Sequence, residues 1–257
     1  MILSLKNITK NFGGVKAISD TSFSINEGEI YAIIGPNGAG KTTLFNIITG
    51  NYKPSSGEVL FKDKRIDKLK AHKIVHLGIA RTFQNIRLFS SMTVLENVLI
   101  GLNSSIKYSL LEAFLHLGRF RKSENLAKAR CLELLKELDI EHLAYEKATS
   151  LSYGQQRKVE IARALATNPA LLLLDEPVAG MNAAESDELA SLIFKLRDKY
   201  KLSVLLIEHD MKFVNTLCDK VLVLDYGKVI FEGKIEDAVL NKEVIAAYLG
   251  DIEQLEK

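Results

Sequence analysis

The chain has 257 residues, 47% hydrophobic and 26% charged, with a net charge of +2 and two cysteines. That length fits one large domain, or one domain with a substantial insertion, able to bury roughly 70–75% of its unfolded surface. The near-neutral charge argues neither for nor against nucleic acid, Cys131 and Cys218 without a secretory h-region read as reduced and cytosolic, and no apolar run approaches the ~18 residues of a membrane span. Any membrane role must come through a partner.

In chain order, residues 4–9 and 21–25 alternate as short strands, and Asn26-Glu27-Gly28 is a turn. Between the strands, Lys10-Asn11-Phe12-Gly13-Gly14 sets an aromatic beside glycines. That ring suits either a buried loop position or stacking on an adenine. Residues 29–34 form an apolar β-rich run that leads into Gly35-Pro36-Asn37-Gly38-Ala39-Gly40-Lys41-Thr42. This stretch fits G-x-x-x-x-G-K-[ST], the phosphate-binding loop. Glycines let the backbone wrap and turn successive N–H groups inward as an anion nest. Thr42-Thr43 and the residues to Thr49 read as a helix that adds its N-terminal dipole. Lys41 supplies a mobile charge for β- and γ-phosphates, and the Thr42 hydroxyl suits Mg²⁺.

Pro54-Ser55-Ser56-Gly57 is a turn and residues 58–62 a strand. The basic stretch 62–70, interrupted by Asp63 and Asp67, reads as a solvated face. Gly78-Ile79-Ala80-Arg81-Thr82-Phe83-Gln84 looks like a strand ending in polar residues. From there to about residue 150 the pattern is helical. Thr93 with Glu96 and Ser109 with Glu112 fit capping boxes. Leu126, Ala129, Leu132, Leu135 and Leu138 are expected to share one face. The block reads as a helical insertion.

Leu151-Ser152-Tyr153-Gly154-Gln155-Gln156 opens a further helix, capped by Ser152 with Gln155, that stops at Asn168-Pro169. Residues 170–174 are an unbroken apolar strand ending in Asp175-Glu176. Such a run suits a parallel strand covered on both faces. Ligands of such sheets bind beyond the strands' carboxyl ends, where the phosphate loop also lies. A helix over 183–199 and an apolar strand over 202–207 follow, the strand ending in Glu208-His209-Asp210. That places His209 at the same mouth. Residues 221–224 and 228–231 flank Tyr226-Gly227 as a hairpin, and the tail from 235 is helical and charged.

These pieces stand in the order of the ATP-binding cassette (ABC) ATPases, and the chain resembles that family over nearly its full length. Gly35 to Thr42 matches Walker A and Gln84 the Q-loop. Leu151 to Gln156 matches the L-S-G-G-Q signature, Leu171 to Glu176 Walker B with its glutamate, and His209 the switch histidine. The resemblance implies an α/β P-loop NTPase core with an N-terminal antiparallel β subdomain and an inserted α-helical subdomain, the core from 1–84 and 166–257, the insertion from 85–165. It implies that Phe12 stacks on adenine, and that Gly35, Pro36, Asn37, Gly38, Ala39, Gly40, Lys41, Thr42 and Thr43 hold the phosphates of ATP. Thr42, Gln84 and, through water, Asp175 would bind Mg²⁺. Glu176 would be the catalytic base, with His209 and Lys41 on the γ-phosphate. Ser152, Gly154 and Gln155 would act on ATP held by the other subunit of a dimer.

Within the family, the phrases from Gly78 to Gln84, Met92-Thr93-Val94-Leu95-Glu96-Asn97-Val98, Ala179-Gly180-Met181-Asn182 and Ile207-Glu208-His209-Asp210-Met211 are most similar to the larger ATPase subunit of branched-chain amino acid importers. Lipopolysaccharide-export ATPases share several of them, and a non-transport ABC ATPase is the third reading. The implied setting is peripheral, on the cytoplasmic membrane face. Implied partners are a second ATPase (homodimer or heterodimer), two transmembrane permeases and, indirectly, a substrate-binding protein; no nucleic acid is expected. Three positions depart from the family pattern. Tyr153 replaces the signature's first glycine, Asn182 replaces the aspartate of S-A-L-D, and Glu208 replaces a usual Ser or Thr, an added negative charge close to the site.

Overall fold

The computed structural model describes the backbone of residues 1–102 and 118–255, with side chains over 1–102 and 123–248. The Ser109–Glu112 capping box and much of the helical stretch between 98 and 125 lie outside them. The chain divides into two compact units: Met1–Arg81 with Ala170–Lys257, and Thr82–Pro169.

In chain order the elements are β1 (Leu3–Phe12), β2 (Val15–Ile25), β3 (Ile30–Ile34), α1 (Lys41–Ile48), β4 (Ser56–Phe61), β5 (Lys64–Arg65), α2 (Ala71–Leu77) and β6 (Ile79–Arg81). The second unit contributes α3 (Val94–Leu102), α4 (Gly118–Glu137) and α5 (Tyr153–Ala166). The first unit resumes with β7 (Leu171–Asp175), α6 (Ala183–Tyr200), β8 (Ser203–Ile207), α7 (Met211–Leu217), β9 (Lys220–Asp225), β10 (Lys228–Gly233), α8 (Ile235–Ala238) and α9 (Lys242–Leu255).

The first unit holds two sheets. One is antiparallel, in the order β2-β1-β4-β5. The other runs β10-β9-β3-β8-β7-β6, parallel from β9 to β6 with β10 antiparallel at its edge. Strands β3, β7 and β8 are buried at every residue, as their apolar runs require of strands covered on both faces. Both sheets share one core, in which Leu3, Leu5, Phe23 and Val59 meet Phe45 of α1 and Leu171, Leu205 and Leu222. The β1–β2 pair is longer than the alternating stretches suggest. Its register slips between Leu5 and Ile8 and again before Asn11, and a bulge sets two residues against one, which breaks the period-two pattern. The basic stretch 62–70 is not a uniformly solvated face. Lys64 and Arg65 are exposed, but Ile66 and Asp67 are buried, and Asp67 accepts from Arg65 Nε (2.8 Å) and the Val59 amide (3.3 Å).

In the second unit α3 packs on α5 at Gly101, where a Cβ would run into the Arg163 carbonyl. Thr93 and Glu96 close the α3 capping box. Along α4 and the residue after it the buried positions are Ala127, Cys131, Leu134, Leu135 and Leu138, whereas Leu126 is exposed. The expected i, i+3 stripe from Leu126 therefore fails in its first half. Steps of three fall short of the 3.6-residue turn, so such a stripe rotates off the buried face after two or three repeats. The core follows i, i+4, i+7, i+8 instead.

Candidate functional site

The parallel register sets Ile33 and Asp175 each against Ile207, so β3, β7 and β8 end at one edge. Beyond or at that edge lie Lys41 at the start of α1, Asp175 at the end of β7, and Glu176 and His209 in the loops that follow β7 and β8. Three segments far apart in sequence thus deliver a cation, two carboxylates and an imidazole to one rim.

The loop after β3 is shaped by its glycines. At Gly35 (φ +142°) a Cβ would overlap the Leu224 carbonyl, and at Gly40 (φ +103°) it would lie 2.6 Å from Ile18 Cδ1 and 2.7 Å from the Ala17 carbonyl. Only glycine fits either place. Gly40 is also the N-cap of α1, with no side-chain cap and no acidic residue in the first turn. The helix N-terminus therefore presents uncapped amides and its positive dipole end to the loop. The Lys41 ammonium folds over the loop and donates to the Gly35 and Pro36 carbonyls. Asn37, Gly38 and Thr42 are exposed, Thr43 is half-buried, and Ala39 is buried. A concave, glycine-built, cationic nest of this kind fits a polyphosphate. On its outer side a cleft of about 460 Å³ is bordered by residues 36–39 and by Glu243, Ala246 and Ala247 of α9, a neighbour the sequence pattern did not mark. Phe12 stands 42% exposed at the β1–β2 turn. Its ring meets the edge of Tyr52 at 5.2 Å and lies 4.8 Å from Lys10 Nζ.

Asp175 is buried at the end of β7. Its Oδ2 accepts from Arg81 Nη2 at 2.7 Å, with side chains 5% and 8% exposed. Arg81 also donates to Asn46 Oδ1 (2.8 Å) and lies 5.3 Å from the Phe45 ring. Helix α1 thus props the arginine that holds the aspartate. Sequence reading missed Arg81; a lone arginine at the end of an otherwise apolar buried strand is the signal that marks it. Glu176 has φ +46°, a left-handed backbone uncommon outside glycine. Its amide donates to the Ile207 carbonyl (3.0 Å), fixing the turn to β8.

Glu208, the added negative charge close to the site, is buried. The residue is 1% exposed, and its carboxylate accepts the amides of Val178 (3.1 Å), His209 (2.9 Å) and Asp210 (3.3 Å). Burial pushes its carboxyl above the usual range, and those amides pull it part of the way back. The side chain clasps the loop carrying Glu176 to the loop carrying His209, whose ring is 65% exposed with Nδ1 3.8 Å from Glu208 Oε2. Asn182 caps α6 reciprocally with Glu185. Among the described residues no three His, Cys, Asp or Glu side chains gather into a metal-binding group.

The second unit holds Gln84, Ser152, Gly154 and Gln155. Gln84 is exposed, and its carbonyl accepts from Arg157 (3.1 Å). Ser152 is exposed at the N-cap of α5, where it exchanges hydrogen bonds with Gln155 in a capping box. The N-terminus of a helix with this cap favours an anion.

Residues 18–179 match the family described as ABC transporter. Over 250 residues, 97% of this chain, the sequence is 42% identical to the high-affinity branched-chain amino acid transport ATP-binding protein BraF of Pseudomonas aeruginosa, 98% of which is covered. It is 40% identical, with the same coverage, to the protein LivG of Escherichia coli, which carries the same description. Among solved structures, an ATP-binding cassette of an ABC transporter in its ADP conformation superposes with a TM-score of 0.85 at 37% identity, covering 97% of this chain and 98% of that one. A dimeric ATP-binding cassette in a post-hydrolysis state, bound to ADP and Pi, gives 0.77 at 30% identity, over 91% of this chain and 99% of that one.

Proposed function

We propose, from the premise that this chain belongs to the ABC transporter family, that it is the ATP-hydrolysing subunit of an importer of branched-chain amino acids. The observation that carries the cargo is the 42% identity across nearly the whole of both chains to a branched-chain amino acid transport ATP-binding protein. The chemistry is supported by the rim to which β3, β7 and β8 deliver Lys41, Asp175, Glu176 and His209.

On this reading Phe12 stacks on adenine, and residues 35–43 cradle the phosphates with backbone amides and the Lys41 charge. Magnesium ion would supply charge neutralisation of the phosphates; Thr42 and Gln84 would hold it, with Asp175 acting through water. The glycine-built loop and the buried Asp175 carboxylate are groups of the kind that would fit a magnesium nucleotide. Glu176 takes a proton from the water that attacks the γ-phosphorus, ADP departs with the bridging oxygen, and His209 holds the γ-phosphate oxygens. Ser152, Gly154 and Gln155 close on ATP held by a second cassette. The dimer drives two permease subunits, fed by a substrate-binding protein, from the cytoplasmic face of the membrane. No helix of the described residues is long and apolar enough to cross a bilayer, which suits a peripheral subunit.

The test is co-expression with permease subunits of a branched-chain amino acid importer. Purified complex in vesicles should hydrolyse ATP faster when a leucine- or valine-loaded binding protein is present. Stimulation by a lipid cargo, with none by amino acids, would replace import by export.

A further inference from the structure

We infer that Arg157, through the Tyr153 hydroxyl, welds the Gln84 loop to the signature turn, so that these two stretches of the second unit move as one body. The inference rests on the reading above, in which Gln84 meets ATP on its own chain and Ser152 meets ATP on the partner.

The Arg157 side chain is fully buried. Both hydrogens of Nη1 are used, on the Phe83 carbonyl (2.8 Å) and Glu160 Oε2 (2.7 Å). Both hydrogens of Nη2 are used as well, on the Gln84 carbonyl (3.1 Å) and the Tyr153 hydroxyl (3.2 Å). Glu160 Oε1 accepts the Phe83 amide (3.2 Å), and Arg163 donates to the Arg87 carbonyl (2.6 Å). The Gln84 loop therefore hangs from α5 by backbone groups at residues 83, 84 and 87. A guanidinium fork is planar and its directions are fixed, so movement of the Phe83 and Gln84 carbonyls must carry α5 with them or break bonds to a fully buried guanidinium. Breaking them is costly because both Arg157 and Glu160 are buried charges.

Tyr153 makes the last link. It adjoins Ser152, it occupies the position of the signature's usual first glycine, and it hands the turn's only hydroxyl-bearing ring to Arg157. Glycine there offers no acceptor. A displacement of Gln84 by nucleotide thus reaches Ser152 without slack, and ATP at one site of the dimer pre-sets the other. Coupling of that kind appears as cooperativity in ATP.

Tyr153→Phe removes one oxygen and keeps the ring that Arg157 faces at 5.8 Å. The assembled transporter carrying it is assayed for hydrolysis against ATP concentration. Hydrogen exchange at residues 83–84 and 152–155 is followed with and without MgATP in a Glu176→Gln background. The expected result is a Hill coefficient falling from about 2, the two-site limit, toward about 1, with protection kept at 83–84 but reduced at 152–155. Arg157→Lys, which keeps a charge opposite Glu160 but not the fork, should do the same more strongly. An unchanged Hill coefficient with both segments protected overturns the weld. Ser152→Ala separates the two layers. If it abolishes MgATP-driven dimerisation while Tyr153→Phe changes nothing, the weld alone is wrong. If it leaves dimerisation intact, the cross-chain reading is wrong and the weld's consequence goes with it.

Discussion

Replacing Arg81 by methionine tests whether the Asp175 carboxylate is held by a buried ion pair. The guanidinium lies 2.7 Å from Asp175 Oδ2, both side chains are under a tenth exposed, and a second bond runs to Asn46. Losing one partner of a buried pair costs roughly 3–5 kcal/mol, and the lost Asn46 bond adds about 1 kcal/mol. Methionine over the Phe45 ring returns about 1 kcal/mol of apolar burial. The net of roughly 3–5 kcal/mol corresponds to a fall in Tm on the order of 10 °C for a chain of this size. Urea and thermal unfolding, read by circular dichroism, measure it. The diagnostic is the double variant Arg81→Met with Asp175→Asn. Removing the charge that Arg81 faces should recover at least about 2 kcal/mol relative to the sum of the single effects. Additivity within about 0.5 kcal/mol, or an Arg81→Met chain within about 1 kcal/mol of the parent, would refute the reasoning.

Glu176→Gln should leave ATP binding intact and lower steady-state hydrolysis by about 100-fold or more, since an amide takes no proton; hydrolysis at the parental rate would remove Glu176 as the base. Glu208→Ala deprives the buried Val178 amide of its acceptor, while the amides of exposed His209 and Asp210 can find water. Relief from burying a carboxylate offsets part of the loss, so stability should drop by about 1–2 kcal/mol, with kcat reduced about 10-fold and KM for ATP within about 3-fold. A fall in affinity alone would contradict the clasp. Burial pushes the Cys131 thiol up to about 12 and Cys218 higher still. The unfolded thiols ionise near ~8.5, so between that pH and 12 the folded chain binds more protons than the unfolded. Stability must then decline as pH rises through the window. Cys131→Ala should flatten the decline, and alkylation of Cys131 at pH 8 should proceed only at the rate of unfolding.

What the sequence made legible is what local chemistry dictates. Strand, glycine loop and helix around Lys41 could be read because the loop needs its glycines in that spacing, and the apolar runs before Asp175 and Glu208 because a strand covered on both faces tolerates little else. What it hid depends on long-range partners. Arg81 and Asp175 lie 94 residues apart, and Arg157 and Phe83 lie 74 apart; no period or motif announces either pair. The sequence marked Glu208 as an added negative charge close to the site but not its clasp, because its donors, the Val178, His209 and Asp210 amides, are backbone groups that every residue has. The α4 stripe failed for a geometric reason, since counting in threes loses about a sixth of a turn at each step.

Because the reactive ends of β3, β7 and β8 all point one way, the opposite ends of those strands have no part in the chemistry. There the chain turns at Gly28 before β3 and at Lys201 before β8, beside Glu27, Arg197 and Asp198 in an open polar hollow. A reporter peptide spliced after Lys201, already a left-handed helix terminus, would pay little closure entropy for its length. Such a graft offers a handle for watching transporter assembly from the quiet side of the molecule.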